Sequence, residues 1–199
     1  ILDSTGKNVL ETVGDARVNT ATKKYGTGSM YFDGTGDWLT LRRSDLFNFG
    51  SGDFTIEGWV NVPNIDATYR CIFGVGNPVQ MYTRNGTVIA FFDDADDGAS
   101  YIINGITGPA NSIAVNTWAH FAVVRSGSTF TVFVNGIAGT PGTSSATIFF
   151  SATAPFVGTH GPTTSAYPYT GYIDDLRVTR GIARYVTNFT PPTAAFLNK

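Results

Sequence analysis

The chain has 199 residues, 42% hydrophobic and 14% charged, so it can bury a sizeable core and is not a disordered segment. A net charge of −2, with no basic run, gives no electrostatic case for nucleic acid or an anionic membrane. No apolar stretch is long enough to span a bilayer, and the single cysteine, Cys71, leaves no intrachain disulfide.

The 23 glycines fit many short strands joined by tight turns. Residues 1–27 are weakly patterned, with Leu2, Val9, Leu10 and Val13 offering one or two short strands at a sheet margin. The stretches Gly28–Gly34 and Trp38–Leu41, joined by Thr35-Gly36-Asp37, read together as a hairpin. Ser44–Phe49 has caps but supports at most one helical turn. Phe54–Val62 is the organising strand. Phe54, Ile56, Val60 and Val62 point one way and Thr55, Glu57, Trp59 and Asn61 the other, a period of two that marks one face in a core.

Strands are predicted at 70–75, 79–83 and 87–92, with Asn85-Gly86 as a hairpin turn between the last two. Asp93–Asp97 supplies four carboxylates ahead of Gly98, 99–103 resumes β structure, and Asn104-Gly105 reads as another turn. Thr117–Arg125 and Ser128–Val134 form an antiparallel pair, and Asn135-Gly136 ends it. Short strands follow at 148–150 and 155–158, then a Gly/Pro/Ser/Thr loop at 159–168 and a strong strand at 171–179. About a dozen short strands with turn signals every 8–12 residues and no helix argue a sandwich or barrel. We expect a single domain over 1–199, with 193–199 an extended tail. Starting at Ile1, it reads as a processed or excised domain. Cys71, in an apolar run, is expected to be a buried, inert thiol.

Six segments occur in a telling order. They are Gly28–Gly34 (GSMYFDG), Phe54–Val60 (FTIEGWV), Trp118–Val124 (WAHFAVV), Phe133–Gly136 (FVNG), Phe156–Gly158 (FVG) and Gly171–Val178 (GYIDDLRV). The series resembles the laminin-G-like, concanavalin A-like lectin/glucanase superfamily over roughly residues 28 to 185. The resemblance implies an all-β jelly-roll sandwich of two antiparallel sheets, one concave, in an extracellular, cell-surface or virion setting. The ending Arg180–Tyr185 with Phe189–Phe196 resembles versions of this module in bacteriophage virion and tail proteins and in large surface proteins of aquatic bacteria.

Some members of the superfamily hydrolyse β-glucans, a reaction that needs two carboxylates about 5 Å apart. Those enzymes carry alternating acids on one strand. This chain has only two glutamates, Glu11 and Glu57, and no second acid alternates with Glu57, so we expect no enzyme. Glu57 is expected to pair with Arg177 on a neighbouring strand, because half-buried charges need partners. His120 reads as a packed histidine, and His160 lies in a loop.

Calcium needs oxygen ligands, and two places offer them. The resemblance implies a structural Ca²⁺ where the terminal strands meet, held by Asp174, the carbonyl of Gly28 and a carbonyl near Asp3. The competing reading has Asp174 only hydrogen-bonding the adjoining loop. The second place is the acidic turn, with Asp94 and Asp96 as ligands, against a merely solvated hairpin tip.

The superfamily implies a non-catalytic module that binds a glycan or another surface polymer. The aromatics that could stack on sugar are Tyr69, Tyr101, Tyr167 and Tyr169. The alternative is a decoration domain that joins other virion, tail or surface-protein subunits through protein contacts.

Overall fold

The computed structural model describes residues 6, 8–161 and 167–197. Among these, fifteen strands run in the order β1 (Leu10–Val13), β2 (Arg17–Asn19), β3 (Ser29–Asp33), β4 (Trp38–Leu41), β5 (Phe54–Asn61), β6 (Arg70–Val75), β7 (Val79–Arg84), β8 (Thr87–Asp93), β9 (Tyr101–Thr107), β10 (Ala119–Ser126), β11 (Thr129–Val134), β12 (Ile137–Ala138), β13 (Gly142–Thr143), β14 (Pro155–Val157) and β15 (Thr170–Arg180). A single 3-10 turn at Asp45–Phe47, capped by the Ser44 side chain, is the only helical element described.

The strands make two antiparallel sheets. One has seven strands in the order β1-β4-β14-β6-β7-β8-β9. The other has eight, in the order β12-β11-β10-β5-β15-β3-β2, with β13 beside β11. Their inner faces share one apolar core, and its rings meet across the sheets: Phe92 of β8 lies 5.5 Å from Phe54 of β5 and 5.0 Å from Phe130 of β11, centroid to centroid. Each such ring, fully buried, contributes about 1.5–3 kcal/mol of hydrophobic stabilisation.

Three local readings of the sequence give way to tertiary structure. The expected hairpin of Gly28–Leu41 does not form. β3 pairs with β15 and β2 while β4 pairs with β1 and β14, so the turn between them crosses from one sheet to the other. Buried Asp37 holds that crossing, its carboxylate accepting the backbone N–H groups of Asp15 and Asp33. Asn104-Gly105 is no turn. It lies inside β9, where Gly105 has φ +79° and the β8–β9 register shifts, a bulge that needs glycine's freedom. β5, expected to be half-buried, is buried at every residue.

The cover over β5 comes from the end of the described chain. Residues 181–197 carry no regular secondary structure and lie as a strap across the outer face of the eight-stranded sheet. Thr55 Oγ1 donates to the Ile182 carbonyl and accepts the Arg184 N–H. Phe189 N–H donates to Gly136 O, Tyr25 OH donates to Pro192 O, and Phe196 N–H donates to Asp175 Oδ2. Tyr185 and Phe189 stack at 3.6 Å and pack on Phe133. The tail expected at 193–199 is thus anchored at Phe196, whose ring stacks on the Arg177 guanidinium at 3.7 Å.

Candidate functional site

The outer face of the seven-stranded sheet is organised differently, and alternation explains how. In β7, Val79 and Met81 enter the core, so Gln80, Tyr82 and Arg84 face outward. In β8, Val88, Ala90 and Phe92 enter the core, so Ile89 and Phe91 face outward. The Asn85-Gly86 turn fixes the register: both residues have positive φ (49° and 70°), and Tyr82 stands opposite Ile89. Tyr69 packs against Tyr82, Phe91 and Tyr167 at centroid distances of 5.2, 6.1 and 5.7 Å. Tyr101 extends the row from Phe91 at 5.6 Å, and His160 lies 6.1 Å from both Tyr82 and Tyr167.

The floor of this cluster is buried and the rim is open. Cys71, Tyr82 and Gln80 are inaccessible, Tyr69, Phe91, Tyr101 and His160 are half-exposed, and Tyr167 is 46% exposed. Tyr82 OH donates to Gln80 Oε1 at 2.8 Å, and Gln80 Nε2 donates to the Asn77 carbonyl, so the floor is locked. The Tyr167 carbonyl accepts the Cys71 N–H, which ties that loop to the sheet. Burial pushes the Cys71 thiol and the Tyr82 phenol up and the His160 imidazole down, so none of them is charged at neutral pH. The result is an uncharged aromatic platform rimmed by polar edges, suited to stacking and hydrogen bonding.

The residues expected from sequence divide on this surface. Tyr69, Tyr101 and Tyr167 come together on the platform. Tyr169 does not. It is fully buried, its ring packs against Phe32, and its hydroxyl donates to the Tyr172 carbonyl.

The acidic chemistry lies elsewhere. Glu57 is fully buried beneath the strap, with Arg177 Nε and Nη2 donating to Oε1 and Tyr185 OH donating to Oε2 at 2.8 Å. His120 Nε2 stands 3.5 Å from Oε2, at the outer limit of hydrogen-bond distance. Burial pushes the carboxyl up, but His120, Arg177 and Tyr185 together outweigh it and hold Glu57 below its ordinary range. The same burial, together with Glu57, pushes Tyr185 up to about 12. The Arg177 partnership is the one expected from sequence. With no exposed surface, Glu57 offers no place for a glycosidic bond.

At both expected calcium positions most of the described carboxylates already accept hydrogen bonds. Asp174 Oδ2 accepts the N–H groups of Lys24 and Tyr25 at 2.7 and 3.0 Å, and Oδ1 accepts that of Asp175 at 2.8 Å. Three N–H groups turned toward a carboxylate make a loop anchor, not a cation cage. Asp3 lies outside the described residues, and a side chain added at Gly28 would run into Val18 and the Asn19 carbonyl. In the acidic turn, Asp96 accepts Asn77 N–H and Ser151 OH, Asp97 accepts the N–H groups of Ala99 and Ser100, and Asp94 is exposed. Asp93 is buried with Oδ2 unpartnered, and burial raises its carboxyl pKa. Among the described residues no three acidic, histidine or cysteine side chains gather around a metal position.

A family model for the concanavalin A-like lectin/glucanases superfamily matches residues 20–182. The chain belongs to that superfamily. Solved structures of similar fold include the binding domain of Paraclostridial Mosquitocidal Protein 1, 14% identical with a TM-score of 0.70, the match covering 92% of this chain and 48% of that one. Domain 4 of AbnA, a GH43 extracellular arabinanase from Geobacillus stearothermophilus solved with arabinotriose, is 18% identical with a TM-score of 0.63, covering 90% and 86%. Domains LG4-5 of the mouse laminin alpha1 chain are 14% identical with a TM-score of 0.59, covering 80% and 44%. The chain thus spans about half of the first of these and most of the arabinanase domain. A comparison with curated protein sequences finds no match.

Within this superfamily fold, Tyr82, Phe91, Gln80 and His160 were missed as platform members. The signal for the strand residues was present: where Val79, Met81 and Val88 point inward, alternation sends Gln80, Tyr82 and Ile89 outward. His160 carried none, since its loop has no period.

Proposed function

We propose that this chain is a non-catalytic module that binds carbohydrate on the platform of Tyr69, Phe91, Tyr101 and Tyr167. The observation that carries this reading is the open rim of rings on a sheet face whose floor is locked and uncharged. Sugar rings present apolar C–H faces to such rings and hydroxyls to polar groups at the open rim, such as the Tyr101 and Tyr167 hydroxyls. The arabinanase domain solved with arabinotriose supports the reading as a relative in fold. An extracellular or surface setting suits a polymer ligand.

The test is titration of the protein with a panel of neutral and acidic oligosaccharides, with a Tyr101→Ala/Tyr167→Ala double variant alongside. Saturable binding that the double variant loses, with its fold intact by circular dichroism, supports the reading. Binding that survives the double variant places the site elsewhere.

A second reading rests on the strap, where Ile182, Val186 and Leu197 are 51%, 69% and 76% exposed. Such apolar side chains suit protein contacts in a larger assembly of virion or surface-protein subunits. Specific self-association or partner binding, lost on Val186→Ser/Leu197→Ser and with no glycan bound, would favour it.

A further inference from the structure

The platform has one charged edge. Arg84 ends β7, and its guanidinium lies 4.4 Å over the Tyr69 ring while Nε donates to the Ala67 carbonyl at 2.9 Å. Stacking and this hydrogen bond fix the plane of the guanidinium, and its two Nη groups have no partner among the described residues. The nearby charges do not compensate it. Asp66 accepts from Arg70 Nη2 at 2.8 Å, from Asn64 and from Thr68 N–H, so its charge is already matched, and the other Nη of Arg70 is held by Thr170. Arg84 lines a cleft together with Asp66, Arg70, Thr83, Asn85 and Ile113, in which the Asp66 carboxylate is held by Arg70. Arg84 is therefore a cation held in place with its outer hydrogen-bonding edge free, at the margin of an aromatic surface.

We infer that the platform selects acidic sugars, with Arg84 taking the carboxylate of a uronic acid residue. This inference rests on the carbohydrate reading of the platform. A planar carboxylate matches two parallel N–H groups of a guanidinium, and a guanidinium already stacked loses little freedom when it binds. The neighbouring rings then carry the sugar faces on either side. Neutral sugars meet the rings alone and bind more weakly.

The experiment compares oligogalacturonate with a neutral glucose oligomer of equal length, by calorimetric titration at low salt, in wild type, Arg84→Gln and Arg84→Lys. A sulfated neutral oligomer forms a third arm. The acidic oligomer is expected to bind at least about tenfold tighter than the neutral one, the scale of a charge-assisted bidentate pair. Arg84→Gln closes that gap without weakening neutral binding. Arg84→Lys keeps only part of it, and 0.5 M salt narrows it. A gap that survives Arg84→Gln, or equal affinities in wild type, overturns the inference while the platform stands. Preference for the sulfated arm over the uronate overturns the carboxylate assignment. If no oligomer binds wild type at millimolar concentration, the carbohydrate reading itself fails.

Discussion

Arg177 directs two nitrogens at one oxygen of Glu57, at 3.0 and 2.7 Å, from the strand directly beside it. Glu57 is wholly buried and the Arg177 side chain is 25% exposed, so the carboxylate depends on partners that the chain itself supplies. Removing one partner leaves a buried charge uncompensated, which costs more than the pair contributes. Arg177→Ala is expected to destabilise the fold by about 3 kcal/mol, the lower end of the range for a broken buried pair because Arg177 is partly solvated. For a chain of this size that is a fall of roughly 6–12 °C in Tm, at about 2–4 °C per kcal/mol. Tyr185→Phe, which removes one hydrogen bond to the same carboxylate, should cost about 1.5–3 kcal/mol. Thermal melts measure both, and unchanged Tm values would show that Glu57 is served by other groups.

Acid should unfold the protein in a way that Glu57 helps to set. Its folded pKa lies below its ordinary 4.5, so the unfolded chain binds the proton more readily. The contribution is therefore complete above about 4.5 and is lost as pH falls through the depressed value. The Tm difference between wild type and Glu57→Gln should shrink steadily from pH 5 to pH 3. His160 acts in the same direction at higher pH. Burial depresses it below 6.5, so its stabilising effect fades as pH drops under that value, and His160→Gln should flatten the Tm profile between pH 7 and 5.5. Asp93 and Asp175, both raised mainly by burial, run the opposite way. Comparing each variant with wild type isolates the single group.

The strap should be worth several kilocalories. Gly136 has φ +78°, and a methyl there would run into the Phe189 carbonyl. Gly136→Ala is expected to cost at least about 1–2 kcal/mol from the backbone alone, with more from displacing Phe189. Phe189→Ala, which unstacks Tyr185 and uncovers His120, should cost about 3 kcal/mol. The rings of Tyr185, Phe189 and Phe196 lie against buried His120, so deleting the chain from Tyr185 onward should uncover apolar surface and raise the emission of a hydrophobic dye. Emission that stays where it is would mean that the sheet face is covered by something else.

Calcium removal should leave the fold unchanged. With three N–H groups on Asp174, melts in Ca²⁺ and in excess EGTA are expected to coincide. Asp174→Ala should lower stability by about 2–3 kcal/mol in either buffer, because it strands donors that a carboxylate had satisfied. An EGTA-sensitive melt would overturn the hydrogen-bond account of that residue.

The parts of this molecule that are legible in sequence share a cause. β5, the β7–β8 hairpin and the β10–β11 pair are adjacent in sequence or strictly alternating, and period two plus Asn-Gly turns define them. The parting of β3 from β4 was hidden because a short turn looks the same whether it folds back within a sheet or crosses between two. The burial of Glu57 and His120 was hidden because their cover, Tyr185, Phe189 and Phe196, lies far along the chain and has no period. On the site side, the tyrosines at 69, 101 and 167 stood out as surface aromatics. Tyr169, two residues from Tyr167, differed in a way that only the fold sets: the chain enters β15 at the next residue and turns that ring inward against Phe32.

The two-residue Asn85-Gly86 turn has a consequence for how binding preference can change. It locks Tyr82 and Phe91 to one side of a ribbon whose sides interchange with every single-residue slip. Ring positions along the strands are therefore quantised: one inserted residue would send Tyr82 into the core and Met81 out onto the platform face. Gradual adjustment is open only where the rings hang from loops, at Tyr69 and Tyr167. On the carbohydrate reading proposed above, sequence change in those loops retunes the module while the strands keep the gauge.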